Sequence, residues 1–126
     1  PESVELHRAS EDNQGIRCNV MAAGCPSRQV LQHLTSRWGV LIVVSLLEKT
    51  HRFSSLRRNI EGVSERMLAQ SLQALEKDGL INRHSFQTIP PHVEYSLTSH
   101  GREIALKLRD LVILIEEKQS EILNQA

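Results

Sequence analysis

The sequence holds few cysteine and aromatic residues and no long apolar run. Of its 126 residues two are cysteine, and aromatic side chains make up 3%. Two cysteines cannot form the disulfide framework of a small secreted domain, so we expect a reducing compartment. No apolar run approaches the roughly 20 residues of a membrane-spanning helix. The amino-terminal segment is polar and of mixed charge, which argues against a secretory signal. Together with the low cysteine content and the lack of a long apolar run, this predicts a cytoplasmic protein. The chain starts at Pro1, and we expect that it lacks its initiator methionine.

The sequence also lacks the motifs of several enzyme and cofactor-binding classes. It has no P-loop, no GxGxxG and no GxSxG, so nucleotide binding and serine hydrolysis have no support. None of the histidines forms an i, i+4 pair, and no CxxC accompanies them, so we predict no metal site and no cofactor. The only histidine close to Cys25 in sequence is His33, which disfavours a thiol enzyme, and we predict that the chain is not an enzyme. The histidines are His7, His33, His51, His84, His92 and His100.

Charge is distributed unevenly along a chain whose net charge is zero. Between residues 25 and 98 there are nine basic and six acidic side chains, whereas both ends are acidic. Arg52, Arg57, Arg58 and Arg66 fall within one short stretch. This distribution is compatible with nucleic-acid binding, but a basic cluster is more often an ordinary solvated surface.

Two short helices in the middle of the sequence have the spacing of a helix-turn-helix. They follow a helix predicted over 26–35 and an apolar run over 38–47. The β-branched residues of this run favour a strand, but its length and its neighbours favour a core helix, which is our prediction. Ser54 is predicted to cap the first short helix, which ends by Glu61-Gly62. Ser64 caps the second helix, which runs to about residue 78 and stops at Gly79. Two short helices joined by about three residues are typical of a helix-turn-helix.

The second of these helices has one apolar and one polar face. At about 100° per residue, Leu68, Leu72 and Leu75 fall on one side, together with Gly79. The opposite side carries long polar side chains of the types that contact guanine, adenine and phosphate. An ordinary solvated helix face would have the same composition, and both interpretations stay open. The polar face consists of Arg66, Gln70, Gln73 and Lys77.

A hairpin and a long helix complete the pattern. Strands are predicted over 81–87 and 93–97, and Pro90-Pro91 stiffens the turn between them; a hairpin directly after a helix-turn-helix is a wing. Thr98 is predicted to cap a last helix that runs to about residue 123. Its apolar residues occupy two sides, which favours self-association over simple packing within the domain. The main stripe is Ile104, Leu108, Leu111, Ile115 and Ile122, widened by Ala105 and Val112, with Leu106 and Ile113 nearly opposite.

An ordered set of short motifs resembles the HxlR-type regulators. The resemblance covers about residues 25–115 without a large gap, and it implies a cytoplasmic homodimeric transcription factor that places the second helix of the motif in the major groove. Some members of that family sense oxidants or electrophiles through the cysteine that Cys25 matches. Cys18 lies in a longer arm that does not match the family pattern. The motifs are CP at 25–26, RW at 37–38, RFSSLR at 52–57, VSERML at 63–68, LEKDGL at 75–80 and PPHVEYSLT at 90–98, followed by Gly101.

These patterns predict a mainly α fold with a small β-hairpin, a winged helix-turn-helix with flanking dimerisation helices. We expect an amino-terminal arm over 1–22, a DNA-binding domain over 23–98 and a dimerisation helix over 99–126. The expected partners are double-stranded DNA, with a palindromic operator, and a second copy of the chain, held through the last helix and the amino-terminal segment. The alternative is a winged-helix module that docks proteins and does not bind DNA.

Each candidate side chain has a predicted role. Arg66, Gln70 and Gln73 are expected to contact base edges. Ser64 is expected either to contact a phosphate or only to cap its helix. Arg57 and Arg58 are expected to contact phosphates, although Arg58 could instead form a surface ion pair. Arg83 and His92 are expected to contact DNA from the wing.

The two cysteines are candidates for redox sensing. Cys25 precedes a helix, whose dipole lowers a thiol pKa, so the alternatives are a reactive thiolate and a small buried cap residue. Cys18 lies seven positions earlier and is expected to pair with an oxidised Cys25, either within one chain or between two copies.

Overall fold

The computed structural model describes residues 19–125, so most of the predicted arm, including Cys18, lies outside the described residues. Within this part a mainly helical chain surrounds one three-stranded antiparallel sheet of order β1-β3-β2. This architecture confirms the predicted fold class. The elements are α1 (Pro26–Leu34), α2 (Gly39–Glu48), β1 (His51–Arg52), α3 (Phe53–Asn59), α4 (Glu65–Lys77), β2 (Ile81–Phe86), β3 (His92–Leu97) and α5 (Ser99–Gln125).

The apolar run over 38–47 is a helix, as predicted, and it forms the centre of the core. In α2, Ile42, Val43 and Leu46 are buried although two of these residues are β-branched. Burial on a helix that packs against α5 outweighs their modest preference for strand. The buried cluster around α2 consists of Leu34, Trp38, Ile42, Val43, Leu46, Leu56, Ile60, Val63, Leu68, Leu72, Leu75, Leu80, Ile81, Tyr95 and Ala105.

Side-chain caps fix where α4 and α5 begin. The Ser64 hydroxyl accepts a hydrogen bond from the Met67 amide at 3.1 Å, so the predicted cap of α4 is confirmed. The Thr98 hydroxyl accepts from the Gly101 amide at 2.9 Å and donates to the Gly79 carbonyl at 2.8 Å. Gly79 itself ends α4 with φ +80, a left-handed conformation that suits glycine. Thr98 therefore joins the end of α4 to the start of α5.

One local prediction is wrong, and one short strand was missed. Ser54 does not cap α3, because that helix begins one residue earlier at Phe53, and its cap residue Arg52 makes no side-chain capping bond. The strand β1 was not predicted at all. It has two residues, His51 and Arg52, which pair with Tyr95 and Glu94 of β3. Two residues cannot show an alternating pattern, and their pairing depends on a strand about 40 positions away along the chain.

The helix α5 extends past the core that it helps to form. Gly101 and Ala105 are buried, and Ile104 and Leu108 are half-buried against the core cluster. Beyond these residues the large apolar side chains of the helix are exposed, except for Val112, which is half-buried. Across 19–125 no single helix combines the length and apolar character of a membrane span; α1 and α2 do so only together, as a pair bent by 73°.

His51 is a buried histidine whose charge state is coupled to folding. It is 6% exposed, its Nδ1 lies 2.7 Å from the Ser55 hydroxyl, and its Nε2 is buried without a hydrogen-bond partner in the described part of the chain. Burial lowers the pKa of His51, and the nearby Lys49 ammonium lowers it further, although the Ser45 backbone and the Glu48 carboxylate act in the opposite direction. The folded protein therefore binds a proton at His51 less readily than the unfolded chain does.

We predict that acid destabilises the fold through His51. A histidine with a lowered folded-state pKa contributes stability that is fully present above its ordinary pKa of about 6.5 and is lost as pH falls through the folded-state value. The free energy of unfolding, measured by urea denaturation, should therefore fall between pH 7.5 and pH 5. The His51→Gln variant should show a shallower dependence, whereas His100→Gln, a change at an exposed position, should keep the wild-type slope. An identical slope in His51→Gln would exclude His51 as the cause.

Candidate nucleic-acid interface

The helix α4 presents a polar face because leucines fix the opposite face in the core. Leu68, Leu72 and Leu75 are at most 2% exposed. The side chains on the far side are all exposed, and none of them makes a hydrogen bond or ion pair within residues 19–125. The structure therefore brings the predicted base-contacting residues onto one accessible surface. This surface consists of Arg66, Gln70, Gln73 and Lys77, and we refer to it as the reading face.

The segment from α3 to α4 forms the helix-turn-helix. Leu56, Ile60 and Val63 are buried and hold α3 and the turn against the core. Gly62 has φ +94, which lets the chain reverse direction between the two helices. Ser64 is exposed at the start of α4, and because its oxygen accepts the Met67 amide, its hydroxyl proton is left to donate. Ser64 can therefore cap the helix and contact an anion at the same time.

Arg57 and Arg58 differ in their surroundings. The Arg57 guanidinium donates to the Glu65 carboxylate at 3.0 Å, and both side chains are largely exposed. An exposed pair of this kind is worth under about 1 kcal/mol, so a phosphate can compete for Arg57. The surface ion pair that the sequence suggested for Arg58 is made by Arg57 instead. Both arginines line a cleft of about 340 Å³ at the junction of α3 and α4.

The two predicted wing contacts lie on opposite faces of the sheet. Arg83 is the cross-strand partner of Tyr95, whereas His92 pairs with Phe86. Because neighbouring residues of a strand point to opposite faces, the Arg83 side chain lies on the face toward α4 and His92 on the other face. Sequence analysis grouped them as wing residues, but only Arg83 adjoins the reading face.

His92 is engaged in contacts that hold the tip of the wing. Its ring stacks on Phe86 with ring centres 4.7 Å apart, and its Nε2 lies 3.1 Å from the Glu94 carboxylate. Its Nδ1 lies 3.4 Å from the Thr88 hydroxyl, which donates its own proton to the Pro90 carbonyl at 3.0 Å. Both ring nitrogens of His92 therefore lie beside polar groups of the wing, which fix the orientation of the ring. His92 therefore has a structural role at the tip.

A second cleft separates α4 from the sheet. Its volume is about 390 Å³, and it runs beside the reading face at Gln73. Two of its polar residues, Glu76 and Tyr95, were not predicted from the sequence. Glu76 follows Gln73 by three positions on one flank of the helix, a signal that was present in the spacing, but the position of Tyr95 depends on its pairing with Arg83. The lining residues are Ala69, Leu72, Gln73, Glu76, Arg83 and Tyr95.

A side-chain hydrogen bond links α1 to the end of α4. The Nδ1 atom of His33 lies 2.7 Å from the Asp78 carboxylate, and Asp78 is the C-cap residue of α4. Asp78 is shielded from solvent, with 11% of its side chain exposed. A change in the position of α1 therefore acts directly on the helix that carries the reading face. Sequence analysis gave neither residue a role, because they lie 45 positions apart.

Cys25 lies at the cap position of α1 and is buried, as in one of the two alternatives that the sequence left open. It is the N-cap residue of α1, is 6% exposed and makes no side-chain capping hydrogen bond. It is disulfide-bonded. Cys18, the other cysteine of the chain, falls outside the described residues. Among the residues that are described, no group of three histidine, cysteine or acidic side chains is arranged to hold a metal ion.

The arrangement of these elements defines a class of protein. A helix-turn-helix with an accessible polar second helix, followed directly by a β-hairpin, is the winged helix-turn-helix of DNA-binding transcriptional regulators. The model of the HxlR-like helix-turn-helix family matches residues 33–122, and the chain belongs to this family. It is thus a transcriptional regulator rather than an enzyme.

Comparisons with individual proteins agree with the assignment to this family of regulators. Over 105 residues the chain is 60% identical to the HTH-type transcriptional regulator YtfH of Escherichia coli (strain K12), covering 83% of each chain. The structure of the transcriptional regulator ytfH from Salmonella typhimurium superposes with a TM-score of 0.78 at 58% identity, covering 85% of this chain and 96% of that one. The redox regulator HypR in its oxidised form superposes with a TM-score of 0.68 at 30% identity, covering 74% and 96%.

Proposed function

We propose that the protein is a cytoplasmic homodimeric regulator that binds a palindromic operator through the reading face of α4. The observation that carries this proposal is the exposed set Arg66, Gln70 and Gln73, aligned on one side of a helix whose other side is fixed in the core. An arginine donates two hydrogen bonds to guanine, and a glutamine forms two with adenine. An acidic or apolar face at this position would have favoured docking to another protein.

The phosphate contacts follow from the surroundings of the reading face. Ser64 at the start of α4, with Arg57 and Arg58 beside it, would hold one DNA strand, and Arg83 would hold the backbone on the wing side. These contacts position the protein and supply most of its salt-dependent affinity, but they carry no sequence information. His92 contributes mainly by fixing the wing tip, with contact to DNA as a second role.

The dimer rests on the exposed apolar surface of α5. Leu111, Ile115 and Ile122 continue the stripe that begins at the half-buried Ile104, and they are 49%, 55% and 57% exposed in the single chain. An apolar stripe that continues along a helix beyond the hydrophobic core is typical of an interface. We therefore propose residues 99–126 as the dimerisation helix, residues 23–98 as the DNA-binding domain and residues 1–22 as an arm that adds to the dimer contact.

A selection from genomic DNA fragments tests the function. The purified protein is incubated with a mixed pool of fragments at two salt concentrations, and bound fragments are sequenced. We expect enrichment of a palindromic sequence, weaker at the higher salt concentration because phosphate contacts release counterions. Failure to enrich any sequence at either concentration would contradict DNA reading and favour the alternative, a winged-helix module that docks proteins.

Arg66→Ala is predicted to weaken binding to the selected operator and to relax its sequence preference at one guanine. Loss of a bidentate guanine contact costs about 1–3 kcal/mol, roughly 5- to 150-fold in affinity. Lys77→Ala should instead weaken operator and unrelated DNA alike and reduce the salt slope by about 1, as expected for a phosphate contact. Arg102→Ala, at an exposed position of α5, is the control. Equal weakening of all sequences by Arg66→Ala would rule out base reading by Arg66.

We also propose that DNA binding responds to the redox state of Cys25. Its support is the disulfide-bonded state of Cys25 at the start of α1 and the hydrogen bond between His33 and Asp78 that joins α1 to the end of α4. Cys18 and Cys25 as thiols would give two electrons and two protons to an oxidant such as diamide, which is reduced to the hydrazine as the S–S bond forms. A bond within one chain and a bond between two copies are the alternatives, and non-reducing electrophoresis separates them.

Operator binding should change on diamide treatment and recover with a thiol reductant, and Cys25→Ser should abolish the response. Cys18→Ser is the matched variant, which tests whether Cys18 is the bonding partner. Mass spectrometry that finds both cysteines as free, unmodified thiols after mild oxidation would refute the proposal.

A further inference from the structure

The cleft between α4 and the sheet carries unpaired polar groups. Tyr95 is 8% exposed, and its hydroxyl makes no hydrogen bond within residues 19–125. In the described part of the chain, His51 Nε2 is the only side-chain nitrogen or oxygen that is fully buried without a hydrogen-bond partner. The Tyr95 hydroxyl oxygen, which has no partner either, is therefore not fully buried. Tyr95 is one of the residues that line the cleft. Arg83, its cross-strand partner, makes no ion pair within the same residues.

The cleft lies where a DNA backbone would pass. Gln73 is on the lip of the cleft and belongs to the reading face, so the cleft is on the flank of α4 that faces the wing. With Gln73 at a base edge, the adjoining phosphates are within reach of side chains on that flank. A guanidinium and a phenol hydroxyl are both hydrogen-bond donors suited to phosphate oxygens.

We propose that Tyr95 and Arg83 together bind one backbone phosphate of the DNA, and that Glu76 opposes this binding. The inference rests on the proposed DNA-binding function and adds two residues to it. The Glu76 carboxylate is exposed on the same cleft and repels a phosphate there. The affinity of the cleft for phosphate is therefore the balance of two donors against one acid, so DNA whose backbone does not reach both donors is disfavoured.

The sign of a Glu76 substitution distinguishes a phosphate from another occupant. A small molecule that carries both an anionic group and a hydrogen-bond donor would use Arg83 for the first and Glu76 for the second. Loss of the Glu76 charge would weaken the binding of such a molecule, whereas it would strengthen the binding of a phosphate. Free inorganic phosphate, added as a competitor, shows whether the site needs the DNA backbone or takes any phosphate anion.

The test measures affinity for the selected operator across a salt series in wild type, Tyr95→Phe, Glu76→Gln and Arg83→Gln. We expect Tyr95→Phe to bind roughly 10-fold more weakly with an unchanged salt slope, because it loses a hydrogen bond to a charged group but no charge. Arg83→Gln should reduce the salt slope by about 1, and Glu76→Gln should bind more tightly than wild type. Glu103→Gln, at an exposed position on α5, is the charge-matched control for Glu76→Gln.

Thermal unfolding of Tyr95→Phe checks that the core is intact, since phenylalanine keeps the buried ring. If Tyr95→Phe is destabilised, Glu76→Gln at its exposed position still decides the inference by its sign. Wild-type affinity in a stable Tyr95→Phe, or weaker binding in Glu76→Gln, would overturn the inference while leaving DNA binding in place. A wild-type protein that binds no fragment would instead refute the proposed function itself, and the inference with it.

Discussion

Replacing Gly101 with alanine is expected to destabilise the fold by at least about 3 kcal/mol, at the upper end of what overpacking a core costs. A β-carbon at this position would lie well inside van der Waals contact of the Leu80 carbonyl oxygen and 2.8 Å from the Leu80 carbonyl carbon. Both atoms belong to the backbone between α4 and β2, so no side-chain rotation relieves the overlap. The start of α5 must move away from the sheet, which breaks the hydrogen bond from the Gly101 amide to Thr98.

Helix propensity alone predicts the opposite sign for this substitution. Alanine is favoured over glycine by about 1 kcal/mol inside a helix, so Gly101→Ala would stabilise an unpacked helix. We expect the steric overlap with the Leu80 backbone to outweigh the gain in helix propensity, because the overlap displaces α5 from the core. Urea denaturation followed by circular dichroism measures the outcome, with Gly24→Ala as the control, since a β-carbon at Gly24 meets nothing within 4 Å. A midpoint for Gly101→Ala at or above that of wild type would show that α5 shifts without cost.

The predictions that succeeded depend on local signals. Ser64 and Thr98 lie directly before periodic apolar stretches, and in each case the hydroxyl accepts an amide of the first helical turn. The burial of Leu68, Leu72 and Leu75 follows from a spacing of three and four residues. Because the same spacing places the polar residues on the opposite side of α4, the composition of the reading face follows from the sequence alone.

Most features that could not be predicted from the sequence depend on contacts between distant parts of the chain. His51 and Arg52 are a strand only because β3 is beside them. Tyr95 lines a cleft because of its pairing with Arg83, and the sequence gives the two strands without their register. Ser54 has the chemistry of a cap, but α3 begins at Phe53, directly after β1. The state of Cys25 is also not encoded locally, because a disulfide depends on a second sulfur in space.

The dimer is the part of the proposed function on which operator affinity depends most. A monomer contacts a single half-site, whereas a dimer that binds one half-site presents its second reading face to the other at a high effective concentration. This linkage raises overall affinity by about 10²–10⁴-fold without any new type of contact. Disrupting the α5 interface should therefore reduce operator binding far more than removing any one side chain of the reading face.

The double variant Ile115→Glu with Ile122→Glu is predicted to be monomeric and to lose at least about 100-fold in operator affinity. Both side chains are exposed on one stripe of α5 in the single chain, so two carboxylates are tolerated there by the monomer but are buried without partners in a dimer. Ser120→Glu, a change at an exposed position nearly opposite the stripe, adds one carboxylate to the same helix and is the control. Multi-angle light scattering gives the molecular mass of each variant, and circular dichroism tests whether the monomer stays folded.

A monomer that keeps its helical signal would show that each copy has its own core and that the part of α5 beyond Leu108 contributes mainly to assembly. A double variant that unfolds at the concentrations where wild type is dimeric would mean that the apolar end of α5 is needed for folding as well, since a stable monomer then does not exist. The folded monomer would lose operator affinity because the second reading face is no longer attached, whereas the unfolded variant would lose binding because the reading face itself is not formed. A variant that remains dimeric and binds the operator as wild type does would require the two copies to meet elsewhere, and the second apolar side of α5, at Leu106 and Ile113, would then be the surface to substitute.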